Sequence, residues 1–159
     1  MHDCVIYVYN NSRLEIGDRT EIERCSISVG NDASLLVGAN GKFFGEGSLE
    51  SSADSLLKFG NDFTVGARYN LVAGKGTECI IGHVWIGIRV TVLYNTLIGD
   101  GSIIGAESLV KSKIPNNCIA AGNPAKVIKK NVTWCRFEDS EDIAECGEAY
   151  IHFTDENAQ

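Results

Sequence analysis

The chain has 159 residues and a formal charge of −7, with 17 glycines, only 2 prolines and a hydrophobic fraction of 44%. This length suits one domain, and the hydrophobic fraction argues against a disordered chain. The negative charge argues against general binding of nucleic acids, and no run of about 20 apolar residues is present that could cross a membrane.

The first residues, MHDCVIYVYNNS, contain no basic segment followed by an apolar one, and we therefore expect no export signal. The cysteines are scattered, without a CxxC pair, at Cys4, Cys25, Cys79, Cys118, Cys135 and Cys146. Their spacing is not that of a zinc site, and the three histidines are also far apart. We expect reduced thiols, no metal and a cytoplasmic location.

Pairs of an aliphatic residue and a glycine recur along the whole chain, beginning with Ile16-Gly17. Ile16 and Ile22 are six positions apart. Thr20 lies four positions after Ile16, and Ser26 lies four positions after Ile22. Residues 40–55 depart from this pattern, and there we expect an irregular coil or a bulged loop. A shorter register follows through Phe59, Val65 and Leu71.

In the second half of the chain the repeat becomes regular. The aliphatic members are Ile80, Ile86, Val92, Ile98, Ile104 and Val110, and the residues four positions later are Val84, Val90, Thr96, Ser102 and Ser108. A helix would place such residues three and four apart, and an ordinary strand would place them two apart. A sandwich of short strands remains the alternative, but it gives no reason for a period of six.

A parallel β-helix explains the period, because each six-residue unit supplies one short strand and one turn, and three units close a triangular coil. Its aliphatic residues then point inward and stack about 4.8 Å apart. Strands are also favoured by the many valines and isoleucines and by the abundant glycine. We therefore predict an all-β fold, a parallel β-helix over residues 1–122, followed by a helical or irregular extension with an acidic tail over residues 123–159.

Charge is unevenly distributed in the last third of the chain. Residues 108–137 carry six basic side chains and no acidic one, whereas the residues after Phe137 carry eight acidic side chains and neither lysine nor arginine. The basic segment is either a solvated face or an anion site, for example for phosphates. Residues 138–150 could form an acidic helix that docks on a neighbouring subunit.

Residues 80–134 resemble the left-handed β-helix acyltransferases of the hexapeptide-repeat type, in the branch that acetylates xenobiotics and polysaccharides. The resemblance rests on HVWIG, IGDGSIIGA and AGNPAKVIKK. It implies a left-handed coil, a homotrimer with active sites between neighbouring subunits, acetyl-CoA as co-substrate without a metal, and O-acetylation of a sugar or surface-polysaccharide precursor.

The resemblance also implies where acetyl-CoA would bind. Gly87, Gly105 and Ala106 would let the pantetheine arm approach the backbone. The turn Asn123-Pro124-Ala125 would lie near the adenine, and Pro124 is well placed to begin a short helix. The phosphates would face the basic side chains of Lys111, Lys126, Lys129 and Lys130.

The catalytic histidine of this branch precedes the HVWIG coil, but the corresponding segment here, residues 71–79, contains no histidine. One residue is also absent between Gly82 and His83. The catalytic candidates are His83 and Trp85. His83 could instead be the non-catalytic histidine of HVWIG, and Trp85 would either line the thioester or acceptor end of the groove or pack in the core. Glu78 is a weaker substitute, because a carboxylate needs a pKa raised by burial to act as a base near neutrality.

Two other functions remain open. A degenerate β-helix could bind CoA or a partner without catalysis, as the missing histidine suggests. A zinc carbonic anhydrase of the same architecture would need three histidines that converge on one metal, and the spacing of His2, His83 and His152 disfavours it.

Overall fold

The computed structural model describes residues 3–134 and 151–153, and these form twenty strands and no helix. The strands are β1 (Val5–Val8), β2 (Arg13–Ile16), β3 (Glu21–Ile22), β4 (Cys25–Val29), β5 (Ser34–Val37), β6 (Lys42–Phe43), β7 (Gly47–Ser51), β8 (Leu56–Phe59), β9 (Thr64–Val65), β10 (Tyr69–Ala73), β11 (Glu78–Ile81), β12 (Val84–Ile86), β13 (Thr91–Val92), β14 (Thr96–Ile98), β15 (Ser102–Ile104), β16 (Leu109–Val110), β17 (Cys118–Gly122), β18 (Ala125–Lys130), β19 (Val132–Trp134) and β20 (Ile151–Phe153). The described residues therefore contain no helix that could span a membrane.

Up to β16, each strand pairs in parallel with the strand three positions further along the chain, and β15 pairs with β17, which produces three sheets that wind around one core. The first side of the coil is β1-β4-β7-β10-β13-β16, the second is β2-β5-β8-β11-β14, and the third is β3-β6-β9-β12-β15-β17 with β18 added at its end. The predicted fold is confirmed: the chain is a left-handed parallel β-helix. Such left-handed crossovers are exceptions to the usual rule for parallel strands.

The coils become smaller along the chain, from 21 or 22 residues in the lower coils to between 16 and 18 in the upper ones. Gly47 lies beside Tyr69, 22 residues further along the chain, whereas Thr91 lies beside Leu109, only 18 residues further along. The larger coils have three inward residues on each of the first two sides, for example Tyr69, Leu71 and Ala73, all of which are buried. The period of six therefore describes the upper coils and the third side, but not the whole helix.

The inward positions of the upper coils match the predicted series from Ile86 onward, since Ile86, Val92, Ile98, Ile104 and Val110 are all buried. Two assignments were wrong. Ile80 lies half-exposed on the outer face and its neighbour Ile81 is inside, because the turn that follows is one residue short. In the first half Cys25 is inside and Ser26 is exposed, because the larger coils shift the register.

The inward hydroxyls of the upper coils have a structural role at the turns. Thr96, Ser102 and Ser108 are buried, and each donates a hydrogen bond to a backbone carbonyl. The Ser108 hydroxyl, for example, donates to the Gly105 carbonyl at 2.7 Å. Carbonyls at the turns are thus satisfied inside the core, which explains why small polar residues occupy this place in the repeat.

Residues 40–55 form regular strands, so the irregular coil or bulge expected there is not present. Here the coil is wide and is filled by an aromatic cluster in which Phe43 lies 5.0 Å from Phe63 and 5.2 Å from Phe59, between ring centroids. Gly41 provides the room, because a Cβ there would lie 2.0 Å from the Phe63 ring. Aromatic side chains such as Phe43 and Phe63 thus occupy inward positions of the wide coils, and this obscured the aliphatic repeat in the sequence.

Three columns of turns connect the sides. Corner A joins the first side to the second and includes residues 74–77, 93–95 and 111–113; corner B joins the second to the third and includes 60–62, 82–83 and 99–101; corner C joins the third to the first and includes 87–89 and 105–107. Ser108 lies between corner C and β16, and its hydroxyl accepts a hydrogen bond from the Gly122 N–H at 3.1 Å.

The chain after β17 does not form the helix predicted to begin at Pro124. Gly122, with φ of +102°, and the turn at Asn123-Pro124 reverse the chain, and β18 returns antiparallel to β17. Gly122 pairs with Ala125, so the motif GNPA is a hairpin turn. The acidic helix considered for residues 138–150 lies outside the described residues.

Candidate functional site

His83 occupies the shortened turn of corner B. The turn below it, Gly60-Asn61-Asp62, has one residue more, and so does Gly99-Asp100-Gly101 above it. The His83 N–H donates to Asp100 Oδ1 at 2.8 Å, and the His83 carbonyl accepts from the Gly101 N–H at 2.7 Å. The missing residue that the sequence indicated is therefore a real feature of the coil, and the backbone of His83 is held firmly within it.

The imidazole of His83 lies in an aromatic group on the outer face of the third side. It stacks on the Trp134 indole, with 4.7 Å between ring centroids and 30° between planes. Trp85, which points outward from β12 and is 37% exposed, lies 6.5 Å from Trp134 between centroids. Trp85 thus lies outside the core, where a ligand can reach it.

Corner C contains the three residues predicted to lie along the pantetheine arm. Gly87 stacks beneath Ala106, and a Cβ on Gly87 would lie 2.7 Å from the Ala106 N atom. A Cβ on Gly105 would lie 2.8 Å from the Cβ of Ala121 in the next coil. Close stacking of the coils requires both glycines, and the result is a column of nearly bare backbone with Ala106 exposed on it.

The hairpin brings part of the predicted phosphate site to the end of corner C. Asn123 and Pro124 are exposed at the turn, and Ala125 is buried against β17. Lys126 pairs with Ala121 beside the turn, whereas Lys129 and Lys130 pair with Ile119 and Cys118. Lys130 therefore lies four residues from Lys126, roughly 13 Å along the strand.

Lys111 does not join these lysines within one subunit. It follows β16 at corner A, three residues beyond Ser108, which places it roughly 10 Å across the first side from the hairpin turn. His83 and Gly87 are likewise separated, since they lie at opposite ends of β12. The structure thus collects the glycine column, the hairpin turn and Lys126, and it leaves His83 and Lys111 on the other two corners.

The segment that corresponds to the missing catalytic loop is a tight turn. The Thr77 N–H and hydroxyl both donate to the Gly74 carbonyl, at 3.0 and 2.6 Å, and β11 begins at once. Glu78, the weaker candidate for a base, is exposed and lines a shallow outer pocket of about 180 Å³ with Ile80, Asn95, Thr96, Leu97 and Lys113. It lacks the burial that the role of base would require.

Two residues that contact His83 were not predicted from the sequence. Asp100 lies in IGDGS and holds the backbone of His83, and Trp134 covers its ring. The unusual Gly82-His83 turn could have drawn attention to Asp100, which occupies the equivalent turn of the next coil. No signal pointed to Trp134, because it comes from a strand beyond the repeat. Among residues 3–134 and 151–153, no group of three or more His, Cys, Asp or Glu could hold a metal ion.

No family model matches the chain. The chain is 28% identical over 151 residues to the polysialic acid O-acetyltransferase of Escherichia coli O1:K1 / APEC, covering 88% of this chain and 44% of that protein. It is 30% identical over 137 residues to a chloramphenicol acetyltransferase of Klebsiella aerogenes, covering 82% of this chain and 60% of that protein. The chain thus spans less than two thirds of the length of these relatives.

Among solved structures, an N-acyltransferase from Bacillus cereus, in complex with dTDP-4-amino-4,6-dideoxyglucose and coenzyme A, superimposes with a TM-score of 0.62. The match covers 90% of this chain and 83% of that one at 19% identity, and it bears on the fold alone. The sequence relatives are acetyltransferases, and the coil is that of the hexapeptide-repeat acyltransferases. The chain is therefore a left-handed parallel β-helix with the fold of the hexapeptide-repeat acyltransferases, and it is similar in sequence to proteins named as acetyltransferases.

Proposed function

We propose that the protein transfers an acetyl group from acetyl-CoA to a hydroxyl of a sugar or of a surface-polysaccharide precursor. The observation that carries this proposal is the bare backbone column of corner C, which runs from Gly87 past Ala106 to the hairpin turn and Lys126. An extended arm with two amides can form hydrogen bonds along such a column, and an anionic end suits the lysines beyond it. Support comes from the relatives, which are named for acetyl transfer.

In the proposed reaction His83 removes the proton from the acceptor hydroxyl as its oxygen attacks the thioester carbonyl. The carbon–sulfur bond of the resulting tetrahedral intermediate then breaks, and the imidazolium returns the proton to the departing thiolate. Trp85, halfway along the outer face between His83 and Gly87, lines the thioester end of the groove. Hydrogen-bond donors that face the developing oxyanion would lower the barrier further.

A homotrimer is part of the proposal, because one subunit alone separates His83 from the glycine column by roughly 13 Å, the length of β12 and its flanking residues. Corner C also exposes two large apolar side chains, Phe44 and Ile88, that a neighbouring subunit could cover. Light scattering should show a trimer, and Ile88→Glu should dissociate it and abolish transfer. A stable, active monomer would contradict this part of the proposal.

The reaction is tested by following CoA thiol release with acetyl-CoA and a panel of sugars, polysialic acid and amino sugars. We expect turnover with a hydroxyl acceptor and a decrease of at least about 100-fold in kcat for His83→Ala, the scale of a lost general base. His2→Ala is the matched control, because it also removes an imidazole but lies outside the motifs HVWIG, IGDGSIIGA and AGNPAKVIKK. Full activity of His83→Ala would exclude His83 as the base.

The CoA site is tested separately by calorimetry. Lys126→Ala should weaken CoA binding by about fivefold, near 1 kcal/mol, whereas Lys58→Ala, which removes an exposed lysine from the second side, should not. If Lys126 contacts the 3′-phosphate, the variant and the wild type should bind 3′-dephospho-CoA equally. If Lys126→Ala and Lys58→Ala weakened CoA binding equally, the lysines would contribute only a general electrostatic attraction.

The tight turn at Gly74-Thr77 favours a second candidate function. Since this turn replaces the loop that carries the catalytic histidine in the resembling branch, the chain could be a scaffold that binds CoA or a partner without catalysis. CoA binding without turnover on any acceptor, together with an unchanged trimer, would support this alternative over the transferase.

A further inference from the structure

Trp134 belongs to neither the repeat nor the motifs, yet its ring stacks on the imidazole of the proposed base. It is 5% exposed, and its indole stacks on His83 with 4.7 Å between ring centroids. The same indole lies 6.5 Å from the Trp85 ring, between centroids. One face of the His83 ring is therefore covered by a residue that arrives from beyond the coil.

The strand that carries Trp134 is fixed independently of this stacking. The Val132 N–H donates to the Asn117 carbonyl at 3.0 Å, and the Val132 side chain is fully buried. β19 also pairs antiparallel with β20 and packs on β15. Backbone bonds and an apolar anchor thus determine where Trp134 lies, and the imidazole must adapt to it.

The buried position of the Trp134 indole N–H lowers the stability of the folded protein. This N–H is buried, and it has no hydrogen-bond acceptor among the residues that the structure describes. An unsatisfied buried donor costs about 1–3 kcal/mol. A tryptophan that served only to cover the third side could be replaced by phenylalanine without that cost, so the size and position of the ring matter more than its donor.

His83 needs such a support, because its turn is one residue short. The backbone of His83 is held by Asp100 and Gly101, but among the described residues no hydrogen bond fixes its ring. Within residues 3–134, the aromatic ring that contacts the imidazole is that of Trp134. A general base works only if its nitrogen is held at the reacting proton, and a displacement of about 1 Å can cost roughly 100-fold in rate.

We propose that Trp134 is a positioning residue, which fixes the orientation of the His83 imidazole for proton transfer. This inference rests on the proposed function, since it assigns Trp134 a task at the same site. It predicts that substrates approach His83 from the ring edge or the face that Trp134 leaves open. It also predicts that an aromatic ring of smaller size will preserve part of the effect.

The placement is tested by NMR of histidine-labelled protein, with the His83 signals assigned by comparison with His83→Gln. The indole ring current should shift the His83 ring protons upfield, and Trp134→Ala should return them toward the values of an exposed histidine. Trp134→Phe should keep an intermediate shift. Tyr94→Ala, which removes an exposed aromatic ring from corner A, is the matched control and should change nothing. Unchanged His83 signals in Trp134→Ala would overturn the proposal.

The catalytic consequence is tested by kinetics on the same variants. Trp134→Ala should lower kcat by roughly 10- to 100-fold with the KM for acetyl-CoA unchanged. Trp134→Phe should retain most of the wild-type kcat. Equal activity of the alanine variant and the wild type, with the imidazole displaced, would overturn the positioning role. If the wild type shows the ring-current shift but no transfer to any acceptor, the proposed function fails and the assigned stacking stands.

Discussion

Single glycines determine which large side chains the core can hold. Gly41 points into the coil beneath Phe63, whose ring is fully buried between Phe43 and Phe59. A methyl group at position 41 would meet three atoms of that ring within 2.7 Å. The other two phenylalanines are buried as well, and the rings lie 5.0 to 5.2 Å apart between centroids, so a displaced Phe63 ring would press on them.

We therefore expect Gly41→Ala to lower the free energy of unfolding by about 1–3 kcal/mol, the usual cost of overpacking. Gly60→Ala is the matched control, because its Cβ would lie 3.3 Å from the nearest atom, the carbonyl carbon of Gly82, and a shift of a few tenths of an ångström would relieve this contact. Urea denaturation measures both variants. Adding Phe63→Leu should recover part of the loss in Gly41→Ala, and strictly additive effects would show that the ring is not the cause.

A second prediction at the residue scale concerns Cys79, an inward residue of β11. Burial raises the pKa of its thiol from 9.0 to about 12. Above about pH 9 the unfolded thiol ionises while the folded thiol stays protonated, so the free energy of unfolding should fall as the pH rises from 9 to 12. Below about pH 8 the thiol is protonated in both states, so it should contribute no pH dependence to the free energy of unfolding.

Cys79→Ala isolates this effect, because all other groups titrate alike in both proteins. The variant should be less stable than the wild type at pH 8 owing to the small cavity, and the difference should narrow by pH 10.5. Urea denaturation at a series of pH values measures the difference. A constant gap from pH 8 to pH 10.5 would show that the folded thiol ionises normally.

At the scale of elements, the shortened turn of corner B offers a direct test of its purpose. Inserting asparagine between Gly82 and His83 would reproduce the turn Gly60-Asn61-Asp62, in which Asp62 adopts φ of +55°. His83 would take the place of Asp62, a conformation that histidine tolerates better than most residues. The coil should remain within about 1 kcal/mol of wild-type stability, while the imidazole leaves Trp134.

Urea denaturation and the NMR signals of His83 measure the two outcomes. The matched control inserts asparagine between Gly99 and Asp100, where the turn already has its full length, and it should destabilise the protein more. If the first insertion unfolds the protein or leaves the imidazole stacked, the short turn does not serve to position His83.

The sequence predicted the elements best where the coil is smallest. From Ile86 to Val110 each inward residue is followed by another six positions later, because a six-residue side has room for only two inward residues. In the wider coils, three inward residues on two sides mix spacings of two and four, as in Leu35-Val37 and Phe59-Phe63. Such spacings resemble ordinary strands, and the repeat could not be traced through them.

The candidate site was only partly accessible from the sequence, for a similar reason. Gly87, Gly105 and the turn at Pro124 stand in local motifs, and the structure brings them to one corner. The hairpin was mistaken for the start of a helix, because proline suits both a first helical turn and a reverse turn. Trp134 reaches His83 only through the return of β19, a long-range contact that no local pattern encodes.

At the scale of the whole molecule, the two ends of the β-helix differ. At one end β18 lies against β17 and β19 packs on β15. At the other end β1 pairs only with β4, and the inward residues Ile6 and Val8 remain partly exposed among the described residues. Each coil of a solenoid is stabilised mainly by its neighbours, so a coil with one neighbour should contribute less.

Substitutions of Ile6 and Ile27 test whether the first coil contributes less to stability than the second, because these two isoleucines are adjacent in one inward stack. Ile27 is fully buried and Ile6 is 39% exposed. Ile27→Ala should therefore lower the free energy of unfolding by about 2–5 kcal/mol, and Ile6→Ala by less than half as much, because its methyl groups are not fully removed from water. Urea denaturation at fixed protein concentration measures both. If both variants lose the same free energy of unfolding, the first coil is covered in solution, for example by another subunit. Self-association would be identified as the cause if Ile6→Ala lowered the free energy of unfolding by less in dilute protein than in concentrated protein.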